Sequence, residues 1–173
     1  MPYSAHEGKS WVIETLLREP RHPASILDIG CGGGSWLDAL RPWFPFTTYS
    51  AVEIYEPYLE KFDLRDRYHD VTVADVREIE IPRSSVIILG DVLEHMPAVD
   101  AVAVWEHCLA AAEQMVFASI PLGEYPQGPA HGNAHEEHVA TWDDGSIMRN
   151  FRDVGPRFLG SVVGVYSARG EAV

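Results

Sequence analysis

The chain of 173 residues carries only two cysteines, Cys31 and Cys108, so no disulfide framework holds it together. Cys31 falls in a glycine-rich stretch and Cys108 in a helical pattern; a reducing, cytoplasmic setting is expected. Long hydrophobic runs are also missing. None approaches the roughly 18 apolar residues that cross a bilayer, so no membrane span is expected. The opening MPYSAHEGKS has no apolar stretch behind a basic one, and no signal peptide is expected. Basic residues are scarce: 13 Lys and Arg stand against 26 Asp and Glu, a formal net charge of −13. Nucleic-acid backbones and anionic membranes would meet a repulsive average field. Nucleic acid is disfavoured as a partner, a small-molecule substrate is favoured, and a homodimer is left open.

What is present is 46% hydrophobic residues, enough for one packed domain over 1–173. Its pattern alternates. Glu7 to Arg18 reads as a helix within an N-terminal segment 1–22, closed by Pro20 and Pro23. Ser25 to Ile29 is an apolar strand stopped by glycines. A helix begins at Ser35, and strands are expected at Thr47 to Glu53, Val71 to Ala74, Ser85 to Leu89 and Met115 to Ile120. Helices are expected at Pro57 to Phe62, Val99 to Ala112 and Thr141 to Phe151. One or two strands lie in Arg157 to Ala168. Near-continuous apolar strands alternating with helices imply an α/β fold with a parallel sheet covered on both faces. Trp11, Trp36, Trp43 and Trp105 read as packing residues.

The most informative stretch is Asp28-Ile29-Gly30-Cys31-Gly32-Gly33-Gly34-Ser35, a strand running through a glycine turn into a helix. In an open α/β sheet this is where ligands sit, at the carboxyl ends of the strands. A tight turn with no ligand is the plain alternative. A nicotinamide-dinucleotide turn is another, but its third glycine would fall at Ser35, and an acid two residues before the first glycine is foreign to it.

Asp28-x-Gly30-x-Gly32-x-Gly34 resembles the first motif of class I S-adenosylmethionine-dependent methyltransferases, and later motifs follow in order over nearly the whole chain. The resemblance implies a Rossmann-like three-layer sandwich with a mostly parallel sheet of about seven strands, and S-adenosylmethionine as cofactor. It implies that Asp28 helps hold the cofactor's ammonium group while the turn at Gly30, Cys31, Gly32 and Gly34 approaches its amino-acid part. Glu53, at the end of the second strand, suits a ribose diol, although an acidic strand end is otherwise just solvated. Ile54 and Tyr55 would pack on the adenine. Asp75 and the amide of Val76 would meet the adenine edge; a helix N-cap is the other reading of Asp75. Asp91, after the fourth strand, would face the sulfonium and the acceptor.

Asp91-Val92-Leu93-Glu94-His95 places two carboxylates and an imidazole at i, i+3 and i+4, one face of a helical turn if one forms there. The stretch is similar to the E-x-x-E-H segment of metal-dependent O-methyltransferases, in which a later histidine completes the site. His131, His135 and His138 are candidates here, with Glu136 and Glu137 between them. The resemblance implies a divalent cation held by Asp91, Glu94, His95 and His138, or a substrate-facing base at His95 or His138 without metal. The segment 121–140 is too long for a simple connection and is expected to form the acceptor site, with Tyr125, Gln127, His131 and Asn133 shaping it. The expected activity is O-methylation of a small-molecule or sugar-like hydroxyl. Methylation of an RNA-terminal 2′-hydroxyl, and a cofactor-binding protein without catalysis, are the alternatives.

Overall fold

A computed structural model of the chain describes residues 5–130 and 132–172. Helix α1 (Lys9–Leu17) precedes β1 (Ser25–Ile29), α2 (Ser35–Leu40) and β2 (Thr48–Glu53). Two short helices, α3 (Pro57–Lys61) and α4 (Leu64–Arg67), lead to β3 (Asp70–Val73) and β4 (Ser84–Gly90). Then come α5 (Ala98–Ala111), β5 (Ala112–Pro121), α6 (Asp144–Asn150), β6 (Arg157–Leu159) and β7 (Val163–Arg169). The seven strands form one sheet in the order β3-β2-β1-β4-β5-β7-β6. Strands β1 to β5 run parallel, and β7 is antiparallel to both of its neighbours. The Rossmann-like α/β expectation holds, with the antiparallel pairs confined to the β7 end of the sheet.

Side chains of successive strand residues point to opposite faces, and here both faces are buried. Ile26, Val86, Ile88 and Phe117 pack beneath Val12 and Leu16 of α1 and Leu37 and Leu40 of α2. Leu27, Ile29, Ile87, Leu89 and Val116 pack against Trp105 and Leu109 of α5 and Ile147 of α6. Every residue of β4 is buried, which explains its uninterrupted apolar centre. The chain turns from building leftward to building rightward between β1 and β4, and that reversal opens a crevice at the strands' carboxyl ends.

Boundaries shift by a few residues from those the pattern implies. Strand β5 starts at Ala112, directly where α5 ends, because Ala112 is buried and pairs with Ser84. Helix α6 starts at Asp144 rather than Thr141, since Asp143 and Ser146 form a reciprocal capping box. Helix α4 has no counterpart in the sequence reading: only Leu64 of its four residues is buried, too little for an apolar period. Trp43 is a correction of a different kind. It is 54% exposed in the turn between α2 and β2, not packed. Among the described residues, no helix is long and apolar enough to cross a membrane.

Candidate active site

The turn between β1 and α2 is built on left-handed backbone. Gly30 has φ 66°, and its N–H donates to Val52 O at 2.8 Å. A Cβ there would come within 2.4 Å of Val92 Cγ2, so the site admits only glycine without rearrangement. Gly34, with φ 77°, stands at the N-terminus of α2, and the space its Cβ would need holds the Arg67 guanidinium. Arg67 Nη1 donates to Gly33 O at 2.8 Å, so α4 buttresses the turn from behind. Gly34 therefore shapes the turn.

The cleft encloses about 800 Å³ of space, open solvent at its mouth included. Its walls are residues 29–32, 52–54, 74–77 and 90–92, the ends of β1 to β4, joined by Tyr58, His95, Met96, Asn133, His135 and Glu136.

Glu53 is 4% exposed, and both its oxygens receive backbone donors: Gly32 N–H to Oε2 and Tyr55 N–H to Oε1, each at 2.9 Å. It thus ties the glycine turn to the end of β2. Burial pushes its pKa up, while these backbone N–H groups pull it down. Each carboxylate oxygen has two acceptor positions, so Glu53 retains capacity for a ligand's hydroxyls. Ile54 and Val76 line the cleft beside it. Tyr55 turns toward the loop after β5, where its hydroxyl donates to Gly132 O at 3.3 Å.

Asp75 reaches the cleft wall but is clamped by Arg77, whose backbone N–H and Nε donate to Oδ1 at 2.9 and 3.0 Å. The Arg77 side chain holds its carboxyl below the usual range. Asp75 caps a turn rather than a helix. Asp28 lies in β1 before the glycine turn and is 2% exposed. Its Oδ2 accepts the Tyr68 hydroxyl at 2.5 Å, and its Oδ1 is buried with no hydrogen-bond partner. Burial foremost raises its pKa to about 7, against the pull of Tyr68 and of Lys9. Cys31 lines the cleft as a buried thiol whose pKa burial drives up, so it is not a nucleophile.

The acid–histidine segment departs from the expected helical face. Asp91 has φ 57° and stands outside the single 3₁₀ turn Leu93–His95. Its Oδ1 accepts the Ser119 hydroxyl at 2.8 Å and its Oδ2 the Ala5 N–H at 3.2 Å. Asp91 lines the cleft, and the converging ligand atoms lie elsewhere. Those atoms belong to Glu94, His95 and His138, and lie within 4.8 Å of one another.

Glu94 is 1% exposed, and neither carboxylate oxygen has a hydrogen-bond partner. Burial first, and then the charge of Asp91, raise its pKa well above the carboxylate range. His95 Nδ1 lies 3.0 Å from Glu137 O, and His138 Nδ1 lies 2.7 Å from Tyr125 O. A carbonyl only accepts, so each Nδ1 carries the proton and each Nε2 keeps its lone pair. The two rings meet edge to face with centroids 4.8 Å apart. Burial lowers both histidine pKa values, which keeps both rings neutral at pH 7.

The loop after β5 is closed at its base, where Gly123 N–H donates to Trp142 O at 2.7 Å. Inside it Gln127 Nε2 donates to Glu136 O at 2.7 Å, a structural role rather than a contact with ligand. Asn133 is buried, lines the cleft and accepts the His135 N–H at 2.9 Å. Tyr125 tilts over His138 at a centroid distance of 5.7 Å. His131 lies outside the described residues. Sequence reasoning gave no role to Arg67, Tyr68, Tyr58 or Glu136, whose partners are distant along the chain and leave no local signal.

A family model described as a methyltransferase domain matches residues 6–155. Among solved structures, the chain is similar to magnesium protoporphyrin IX methyltransferase of Synechocystis PCC 6803 with bound S-adenosylhomocysteine. They share 15% identity over 95% of this chain and 83% of that one, with a TM-score of 0.71. An O-methyltransferase family protein of Burkholderia thailandensis is 14% identical, with 95% and 56% covered and a TM-score of 0.64. Mitomycin 7-O-methyltransferase is 17% identical, with 94% and 54% covered and a TM-score of 0.62. The chain thus spans little more than half the length of these last two. No curated protein matches the sequence at a significant level.

Proposed function

The chain belongs to the methyltransferase-domain family, and we propose that it is a class I S-adenosylmethionine-dependent methyltransferase that methylates a hydroxyl of a small molecule. The observation that carries the choice of oxygen is the pair of neutral imidazoles, His95 and His138, with Nδ1–H anchored on carbonyls and Nε2 left basic, His95 at the cleft wall and His138 edge to face with it. An oxygen acceptor must shed a proton as it attacks, and an imidazole is suited to take it. The net charge of −13 favours a neutral or cationic acceptor over RNA.

The cofactor supplies an electrophilic methyl carbon on a sulfonium, open to in-line displacement. Glu53 would accept the hydroxyls of its ribose, using positions left over from Gly32 and Tyr55. Ile54 and Val76, which line the cleft, would enclose its base, and Asp91 would face its sulfonium end. Asp28, at the foot of the turn, would favour its ammonium group. His95 Nε2 receives the acceptor's proton, and His138 supports or replaces it.

The donor set Glu94, His95 and His138 also fits a divalent cation: a buried carboxylate without a partner and two imidazoles with second-sphere carbonyls. Such an ion would lower the acceptor's pKa. One experiment separates the readings. The enzyme is incubated with S-adenosylmethionine and phenolic, catecholic and sugar-like acceptors, and with RNA oligonucleotides, with and without EDTA. We expect turnover of a small molecule, a drop in kcat of about 100-fold or more in His95→Asn, and cofactor affinity within about threefold of wild type. Loss in EDTA that a divalent ion restores supports the cation; unchanged kcat in both His95→Asn and His138→Asn rejects the base.

A further inference from the structure

One carboxylate of the loop after β5, Glu136, lines the cleft. Glu136 is 7% exposed, and its Oε1 accepts the Tyr58 hydroxyl at 2.8 Å. Tyr58 belongs to α3, which follows β2, so this bond closes the cleft between the β2 end and the loop. The Tyr55 hydroxyl makes a second tie, to Gly132 O. The neighbours of Glu136 in sequence do something different. The carbonyl of Glu137 accepts the Nδ1–H of His95, and His138 is itself the second imidazole. Its amide donates to Gln127 O at 2.9 Å, while Val139 and Ala140 donate to Glu94 O at 2.8 and 3.0 Å. Three consecutive residues therefore join the cleft wall to both histidines.

We propose that Glu136 is a cofactor-binding residue, accepting a hydrogen bond from a hydroxyl or amino donor of the nucleoside, and that through the adjoining peptide cofactor occupancy orients His95 and His138. This rests on the methyltransferase reading. A buried carboxylate facing a polar cleft gains most from a donor where water is excluded, and hydrogen bonds to charged groups are the strong ones. Fixing the Glu136 side chain restrains the Glu137 carbonyl one peptide away. That carbonyl sets which nitrogen of His95 is basic and where it points. An enzyme so built holds its base more firmly when the methyl donor is present.

The test combines calorimetry with S-adenosylhomocysteine and hydrogen exchange at the amides of His138, Val139 and Ala140. In the wild type, saturating ligand slows exchange at these amides about tenfold or more. Glu136→Gln binds about tenfold more weakly, and its amides gain little protection even at saturation. Tyr58→Phe keeps the carboxylate and loses a few-fold. Wild-type binding with unchanged exchange overturns this inference alone, as does wild-type affinity and protection in Glu136→Gln. Failure of the wild type to bind overturns the methyltransferase reading as well.

Discussion

Replacing Asp28 by Asn removes a charge that the fold buries at a cost, and the size of that cost follows from its titration. In the folded chain the Asp28 carboxyl titrates at about 7, against an ordinary value of 3.8. Burial is the main cause; the Tyr68 hydroxyl and the Lys9 ammonium pull the other way. Between these two values the folded state holds a proton that the unfolded state has lost. Unfolding free energy therefore falls as pH rises through the window and levels off above pH 7. About three pH units at roughly 1.36 kcal/mol each give roughly 4 kcal/mol of lost stability by pH 8. About 1.7 kcal/mol of it is already present at pH 5, so about 2–3 kcal/mol develops between pH 5 and pH 8.

An amide at this position does not titrate, and its oxygen still accepts the Tyr68 hydroxyl. The ligand-free Asp28→Asn variant should be more stable than wild type at pH 8, with a gap about 2–3 kcal/mol wider than at pH 5. Urea unfolding followed by tryptophan fluorescence at both pH values reads this directly. Parallel stability profiles for the two proteins would show that Asp28 is not lifted by burial and would refute the reasoning. The same substitution should weaken S-adenosylmethionine binding, because a site charge that costs stability is retained for function.

Gly30→Ala should cost roughly 1–2 kcal/mol for its left-handed backbone and about 1–3 more for the clash with Val92. In a Val92→Ala background the second part should disappear and the first remain, as shown by urea midpoints. Equal costs in both backgrounds would mean that Val92 is not the obstacle.

The parallel core was legible because both faces of these strands are buried. Ser25 to Ile29 reads as an apolar run ended by glycine and is β1 as observed. Strand ends also share one edge of a parallel sheet, so Glu53, Asp75 and Asp91 could be placed around one cleft before any coordinates. Which carboxylates are already engaged was not legible. Asp28 is held by Tyr68, forty residues on, and Asp91 by Ser119, twenty-eight residues on. The expected i, i+3, i+4 face failed because Asp91 takes a left-handed conformation and leaves the helical turn. Glu136 looked like one acid in a polar loop; only the fold of that loop over α3 brings it to the cleft.

Isothermal titration with S-adenosylmethionine and NAD, on wild type and Glu53→Ala, tests most directly whether the crevice at the ends of β1 to β4 holds the methyl donor. The account predicts one S-adenosylmethionine per chain, no NAD, and affinity about 10-fold or more weaker in Glu53→Ala, the loss of charged hydrogen bonds to the ribose. Binding of NAD in place of S-adenosylmethionine, or full affinity without Glu53, would contradict it.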